Sequence, residues 1–234
     1  MSSQQEAAKK YYEDTPISIW EKVFDSDLNY CFGDAISRNP EIFKKVKTVL
    51  DVGCGWGGPA RKLIREFGCN IEGVTNSQPQ QNYISNRDKY PVYLADANKF
   101  IPEKKYDIAI FFQSFTFMED QAVINVSKNV DKIFINDYVN QEGKPHYASH
   151  WDMTMRSVEN YKALFDLIGF ELKIFDMQPR EVYIPEAAFW LENIKKLSVE
   201  ERTPEITVLK LLCEDITSNR LPYTKVVDVY AERK

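Results

Sequence analysis

Apolar positions along this chain follow two different periods. Continuous runs such as Val49-Leu50-Asp51-Val52, Ile108-Ala109-Ile110-Phe111-Phe112 and Ile133-Phe134-Ile135 read as strands buried on both faces, and mixed stretches between them read as one-sided helices. The pattern predicts strand 47–52, helix 57–67, strand 70–75, helix 78–88, a short strand 92–95, strand 106–112, helix 119–128, strand 132–138, helix 157–167 stopped by Gly169, and strand 170–177. Strands that alternate with helices specify an α/β fold with a parallel sheet covered on both faces. Before residue 47 the chain reads as a helical preface. Residues 4–12 suit a helix, Thr15 is placed to cap a second helix with Pro16 at its first position, and Asn39-Pro40-Glu41 opens a third. After residue 177 the alternation stops. Two charged helices, about 185–196 and 204–218, precede a last β-branched strand in Tyr223–Ala231.

With no repeat, low-complexity stretch or flexible linker, the expectation is one domain over 1–234: a cap (1–46), a core (47–177 and 222–234) and an insertion (180–221). The insertion reads either as a lid or as a second layer of helices on the sheet. A hydrophobic share of 44% suffices for a core of that size, and a net charge of −5 argues against a nucleic-acid partner, which needs a basic face. Four widely spaced cysteines contain no CxxC and no zinc pattern, which suits free thiols in a reducing compartment. No apolar run reaches the length of a membrane span, and Met1–Glu6 lacks the order of a signal peptide. The expectation is a soluble cytoplasmic protein with a small-molecule substrate, no metal, no membrane partner and an oligomeric state left open.

Chemistry concentrates where strand 47–52 ends. Asp51-Val52-Gly53-Cys54-Gly55-Trp56-Gly57 is a DxGxGxG turn leading into a helix, the arrangement of a nucleotide-type site. It is not the GxGxxG of a dinucleotide site, and an acid before the first glycine repels a diphosphate while suiting a positively charged ligand. The two histidines, His146 and His150, fall on a loop after the fifth strand, at the sheet edge where open α/β sheets bind ligands. Their spacing of four also permits metal binding on a helix, but no third ligand accompanies them. They are candidate general bases, with Glu119 and Asp120 as alternatives that could equally start the next helix. Phe32, Phe115, Phe117, Trp151, Tyr183, Phe189 and Trp190 are candidates for an aromatic acceptor pocket.

The glycine-rich turn resembles motif I of class I S-adenosylmethionine-dependent methyltransferases. Gly73-Val74-Thr75-Asn76-Ser77-Gln78-Pro79-Gln80 resembles the GVTxSxxQ segment of the cyclopropane-fatty-acid-synthase-like and related small-molecule methyltransferases. The resemblance implies a doubly wound, Rossmann-like, seven-stranded methyltransferase sheet with a helical N-terminal cap and a helical insertion before the last strand. It implies S-adenosyl-L-methionine as cofactor. Asp51, Gly53 and Gly55 would approach its methionine and ribose part. Thr75-Asn76 stands where many class I enzymes carry an acid, so Asn76 and Gln80 would hold the ribose by neutral hydrogen bonds. Asp96-Ala97 matches the adenine position, Gln113 the methionine part, and Tyr12 and Tyr30 the aromatic positions that close over the methionine carboxylate. Asn76 and Asp96 also suit plain turn and capping roles. The implied function is N-, O- or C-methylation of a small, largely apolar or aromatic metabolite. The alternatives are C-methylation or cyclopropanation of a lipid or isoprenoid alkene, and a cofactor-binding cyclase or binding module without methyl transfer.

Overall fold

The computed structural model describes residues 13–25, 27–28, 33–140, 146–148, 153–218 and 224–234. A seven-stranded sheet has the order β3-β2-β1-β4-β5-β9-β8. Its members are β1 (Thr48–Val52), β2 (Asn70–Thr75), β3 (Val92–Leu94), β4 (Tyr106–Phe112), β5 (Val130–Asn140), β8 (Phe170–Met177) and β9 (Thr224–Arg233). The first five run parallel, and β9 enters antiparallel between β5 and β8. Leu50, Val52, Ala109, Phe111, Ile133 and Ile135 are wholly buried on one side of the sheet; Val49, Ile108, Ile110 and Phe134 are wholly buried on the other. This two-sided burial is why these strands read as unbroken apolar runs. The helices α4 (Gly58–Phe67), α5 (Gln78–Arg87), α6 (Asp120–Val126) and α7 (Val158–Leu167) are the connections of the sheet.

A second hydrophobic cluster lies outside the sheet. Helix α1 (Ile17–Phe24) packs Ile19, Trp20, Val23 and Phe24 with Tyr183, Ala187, Trp190 and Ile194 of α8 (Arg180–Lys196) and Ile206, Leu209 and Cys213 of α9 (Pro204–Thr217). Trp20 stacks on Phe24 with ring centres 5.4 Å apart, and Phe24 meets Trp190 edge-on at 5.0 Å. Preface and insertion are therefore one helical body. Among the described residues no helix is long and apolar enough to cross a membrane.

Local details depart from the sequence reading. Pro16 flanks α1 rather than starting it, and the Thr15 hydroxyl caps nothing there. It lies 2.7 Å from the Thr203 hydroxyl and donates to Glu205 at 3.1 Å, joining preface to insertion across 190 positions. Two short helices, α2 (Ala35–Arg38) and α3 (Pro40–Phe43), precede β1 where one was expected. Helix α8 starts at Arg180 and carries Pro185 inside it. A hairpin of β6 (His146–Ala148) and β7 (Met153–Met155) was not anticipated. The expected helix over 4–12 lies outside the described residues.

Candidate active site

Strand order reverses between β1 and β4, and a cleft opens at the carboxyl ends of these strands, where such folds bind ligands. It encloses about 910 Å³, part of it open to solvent. The turn after β1 forms its floor. Gly53, Gly55 and Gly57 all adopt left-handed backbone, and the Gly53 and Cys54 amides donate to the Val74 carbonyl, which welds the turn to β2. Arg61 of α4 holds the turn from behind. Its guanidinium donates to the Trp56 carbonyl (2.9 Å), to Asp88 (2.6 Å) and to the Asp27 carbonyl of the turn before α2. That turn brings Leu28 to the cleft wall in left-handed backbone, steadied by the Asp25 carboxylate, which accepts from the Asp27 and Leu28 amides.

Four polar side chains are buried at this cleft with hydrogen-bonding capacity left over. One carboxylate oxygen of Asp51 finds no donor among the described residues, and burial pushes its pKa up to about 7. Thr75 donates to Gln80 Oε1 at 2.6 Å, which leaves Gln80 Nε2 without an acceptor among them. The Trp56 indole N–H and Gln113 Oε1 are likewise unmatched there. Buried polar groups are rarely left unpaired, so the cleft suits a ligand with complementary groups. Asn76, Ala95, Ala97, Phe112, Ser114, Phe117, Met118, Trp56 and Phe24 complete the lining.

The wall Phe115–Met118 is held by residues that the sequence reading missed. Asp137, at the end of β5, accepts from the Thr116 amide at 2.9 Å and the Tyr138 amide at 2.8 Å. Burial raises its pKa to about 6 against those amides and the nearby Arg156 charge. Arg156 donates to the Phe115 carbonyl (3.0 Å) and the Met118 carbonyl (2.7 Å), pairs with Asp120, and lies 3.5 Å over the Phe115 ring. A polar pair Asn136-Asp137 inside an apolar strand was the available signal. Arg156→Lys keeps the charge but loses the two-carbonyl fork, and is expected to cost about 1–2 kcal/mol. Thermal unfolding would read this as a fall of about 2–8 °C.

Of the anticipated cofactor residues, Asp51, Gly53, Gly55, Thr75, Asn76, Gln80, Ala97 and Gln113 line the one cleft. Asp96 does not line it; its carboxylate accepts from the Asn98 amide in a local turn. Glu119 does not line it either. It is exposed as the residue before α6, and its amide donates to Asn98. His146 sits on strand β6, which removes the helical spacing considered for the histidine pair; its side chain, and all of His150, Tyr12, Tyr30, Phe32 and Trp151, lie outside the described residues. Of the aromatic candidates Phe117 lines the cleft, Phe115 is wholly in the core, Tyr183 and Trp190 pack in the helical body, and Phe189 is half exposed. The described residues contain no metal-binding cluster.

Residues 41–91 match the model of the mycolic acid cyclopropane synthetase family. The (S)-tetrahydroprotoberberine N-methyltransferase of Eschscholzia californica is 27% identical over 143 residues, 51% of this chain and 41% of that protein. A sterol 24-C-methyltransferase of Saccharomyces cerevisiae is 29% identical over 151 residues, 62% of this chain and 38% of that protein. The chain spans less than half the length of these curated relatives. The fold matches the mycolic acid cyclopropane synthase CmaA1, solved with SAH and CTAB, with a TM-score of 0.80 over 100% of this chain and 99% of that one, at 15% identity. Residues 41–91 thus resemble the mycolic acid cyclopropane synthetases in sequence, and the whole chain shares the fold of such a synthase.

Proposed function

We propose that this chain is an S-adenosyl-L-methionine-dependent methyltransferase acting on a small, largely apolar or aromatic metabolite. The observation that carries the reading is the buried, unmatched carboxylate oxygen of Asp51 under the glycine turn, in the same cleft as the unmatched Gln80 amide. S-Adenosylmethionine fits both: it is cationic, and its ribose hydroxyls are acceptors for Gln80 and Asn76. The open space beside Gly55, where an added Cβ would meet no atom of the described residues within 4 Å, leaves room for it. When bound it supplies a methyl group on a sulfonium, an already activated donor.

The chain's own work is placement and exclusion of water. Phe24, Leu28, Phe112, Phe117 and Met118 give the cleft dry walls against which an apolar acceptor packs. Arg61 and Arg156 hold two of those walls from outside. Aligning the acceptor atom with the methyl group is the main source of acceleration in such a site. Phe24 and Leu28 bring the preface onto the cleft, and the insertion helices pack behind that preface helix. Buried free Cys54, Cys69 and Cys213 support a reducing compartment such as the cytoplasm.

Calorimetry with S-adenosylhomocysteine, followed by label transfer from methyl-labelled S-adenosylmethionine to a metabolite extract, tests the reading. Transfer of label supports it, whereas NAD binding without S-adenosylhomocysteine binding overturns it. Label reaching no acceptor despite cofactor binding would favour a cyclase or binding module. Asn76→Ala is expected to weaken S-adenosylhomocysteine binding by about 1 kcal/mol, roughly fivefold, if Asn76 bonds the ribose. The match of 41–91 to a cyclopropane synthetase family favours a second reading, methylation at an alkene carbon, which product analysis of the labelled methyl would separate from N- or O-methylation.

A further inference from the structure

One hydrogen-bond chain runs from the cleft across β5 to β9 and α2, and it fixes the polarity of a cleft residue. Asp228 on β9 is almost fully buried and receives only donors. Arg38 reaches both of its oxygens at 2.8 and 2.9 Å, and Asn39 (2.9 Å), Gln178 (3.2 Å) and Asn136 (2.7 Å) each donate through a side-chain NH2. A carboxylate so surrounded has nothing to donate. Asn136 must therefore turn its NH2 toward Asp228 and its oxygen the other way. That oxygen accepts from Gln113 Nε2 at 2.9 Å. Gln113 is left with one orientation: NH2 on Asn136, and carbonyl oxygen Oε1 unmatched among the described residues. Gln113 lines the cleft, is 3% exposed, and holds left-handed backbone at φ +50°, an unusual state for a non-glycine residue.

We propose that Gln113 Oε1 is a specificity element of the cleft, an obligate hydrogen-bond acceptor whose polarity is set by the Arg38–Asp228–Asn136 chain. The group it receives is an N–H or O–H donor on the bound small molecule. A free glutamine amide would turn to suit either a donor or an acceptor; this one cannot turn without setting Asn136 oxygen against Asp228. A ligand that offers an acceptor at this point is refused, because two buried oxygens would then face each other without a proton between them. Donors of this chemistry come from two sources, the amino group of the methyl donor's amino-acid end and an amine or hydroxyl on the methyl acceptor.

The inference rests on reading the cleft as the ligand site, and the test keeps the two apart. Binding of S-adenosylhomocysteine, of its analogue without the amino group, and of tetrahydroisoquinoline as an amine probe is measured by calorimetry on the intact chain and on Gln113→Leu and Gln113→Glu. Leucine removes the acceptor; glutamate in its protonated form donates to Asn136 through its hydroxyl and keeps a carbonyl oxygen on the cleft. The expected result is a loss of about tenfold or more for a donor-bearing probe in Gln113→Leu, largely restored in Gln113→Glu. Loss confined to S-adenosylhomocysteine, with its preference over the deaminated analogue erased, assigns the donor to the amino-acid end. Loss confined to tetrahydroisoquinoline assigns it to the methyl acceptor. Asp228→Asn, which frees the two amides to turn, should keep the affinity for donor-bearing probes within about twofold, because a free Gln113 can still present its oxygen, in contrast to Gln113→Leu; should that variant fail to fold, the Gln113 pair decides alone. Affinities for S-adenosylhomocysteine and tetrahydroisoquinoline within about twofold of the unmutated chain in Gln113→Leu overturn the proposal. An unmutated chain that binds no S-adenosylhomocysteine overturns the cofactor reading instead.

Discussion

Gly53→Val is expected to abolish S-adenosylhomocysteine binding, with a loss of about a hundredfold or more, and to lower stability by about 2–5 kcal/mol. Two effects add. Gly53 sits at φ +77°, a conformation a β-branched residue adopts only under strain. An added Cβ would also lie 2.6 Å from the Ser114 Cβ and 2.8 Å from the Met118 methyl. The Met118 methyl ends a flexible side chain and can swing aside, but the Ser114 Cβ is fixed to the backbone. The Ser114 hydroxyl donates to the Val52 carbonyl at 2.7 Å, and the Met118 backbone is gripped by Arg156. The turn must therefore move, and the cleft floor with it. Gly55→Ala is the control. Its Cβ would meet no atom of the described residues within 4 Å, so only the left-handed backbone at φ +53° is strained, at about 1–2 kcal/mol. Calorimetry and thermal unfolding of the two variants side by side would check this. A valine variant that binds like the unmutated protein would refute the placement of the turn.

Asp51 is expected to take stability from the ligand-free protein as pH rises from about 4 to about 7, the reverse of the usual behaviour of a carboxylate with partners. Burial holds the Asp51 proton up to about pH 7, whereas in the unfolded chain it leaves near the ordinary aspartate value of about 3.9. In that window the folded chain binds more protons than the unfolded one, so each unit of pH costs it stability. Integrated over the window the Asp51 share is about 4 kcal/mol, complete above about pH 7. Asp137, raised to about 6, adds a loss of the same sign over a narrower range. Asp51→Asn should remove the larger part of this slope while leaving that of Asp137. Denaturant midpoints measured across this range on both proteins would show it; parallel curves would mean that Asp51 is already ionised in the folded chain. A cationic ligand acts in the opposite sense by stabilising the ionised carboxylate. Its affinity should therefore rise with pH across the same interval.

Much of this molecule can be read from its residues, and the boundary is physical. Strands β1, β2 and β4 lie where their apolar runs predict them, because burial on both faces leaves no other composition for a parallel strand. The glycine turn, Thr75 and Gln80 were legible because backbone shape and short-range bonding determine them. What escaped the sequence depends on distant partners. Thr15 looked like a cap and is instead tied to Thr203 and Glu205. Arg156 carried no motif, and its use for holding the cleft wall exists only once β7 has brought it beside Phe115 and Met118. Asn136 and Asp228 interrupt apolar runs, a sign of buried polar pairing, but the sequence does not say with whom.

Strand β9 has a consequence for how the chain is made. It pairs with β5 from Lys132↔Glu232 to Asn140↔Thr224, and with β8 from Phe170↔Arg233 to Met177↔Val227. Until residues 224–233 leave the ribosome, β5 and β8 are two separate open edges with apolar faces, and neither can use the other. The sheet closes by threading its last-made strand between two earlier ones, over sequence separations that make pairing slow. The nascent protein thus passes through a stage with two sticky borders, the stage at which chaperones would be needed most. Cutting the chain before residue 224 should give aggregate rather than a smaller folded protein, with solubility after expression as the measure.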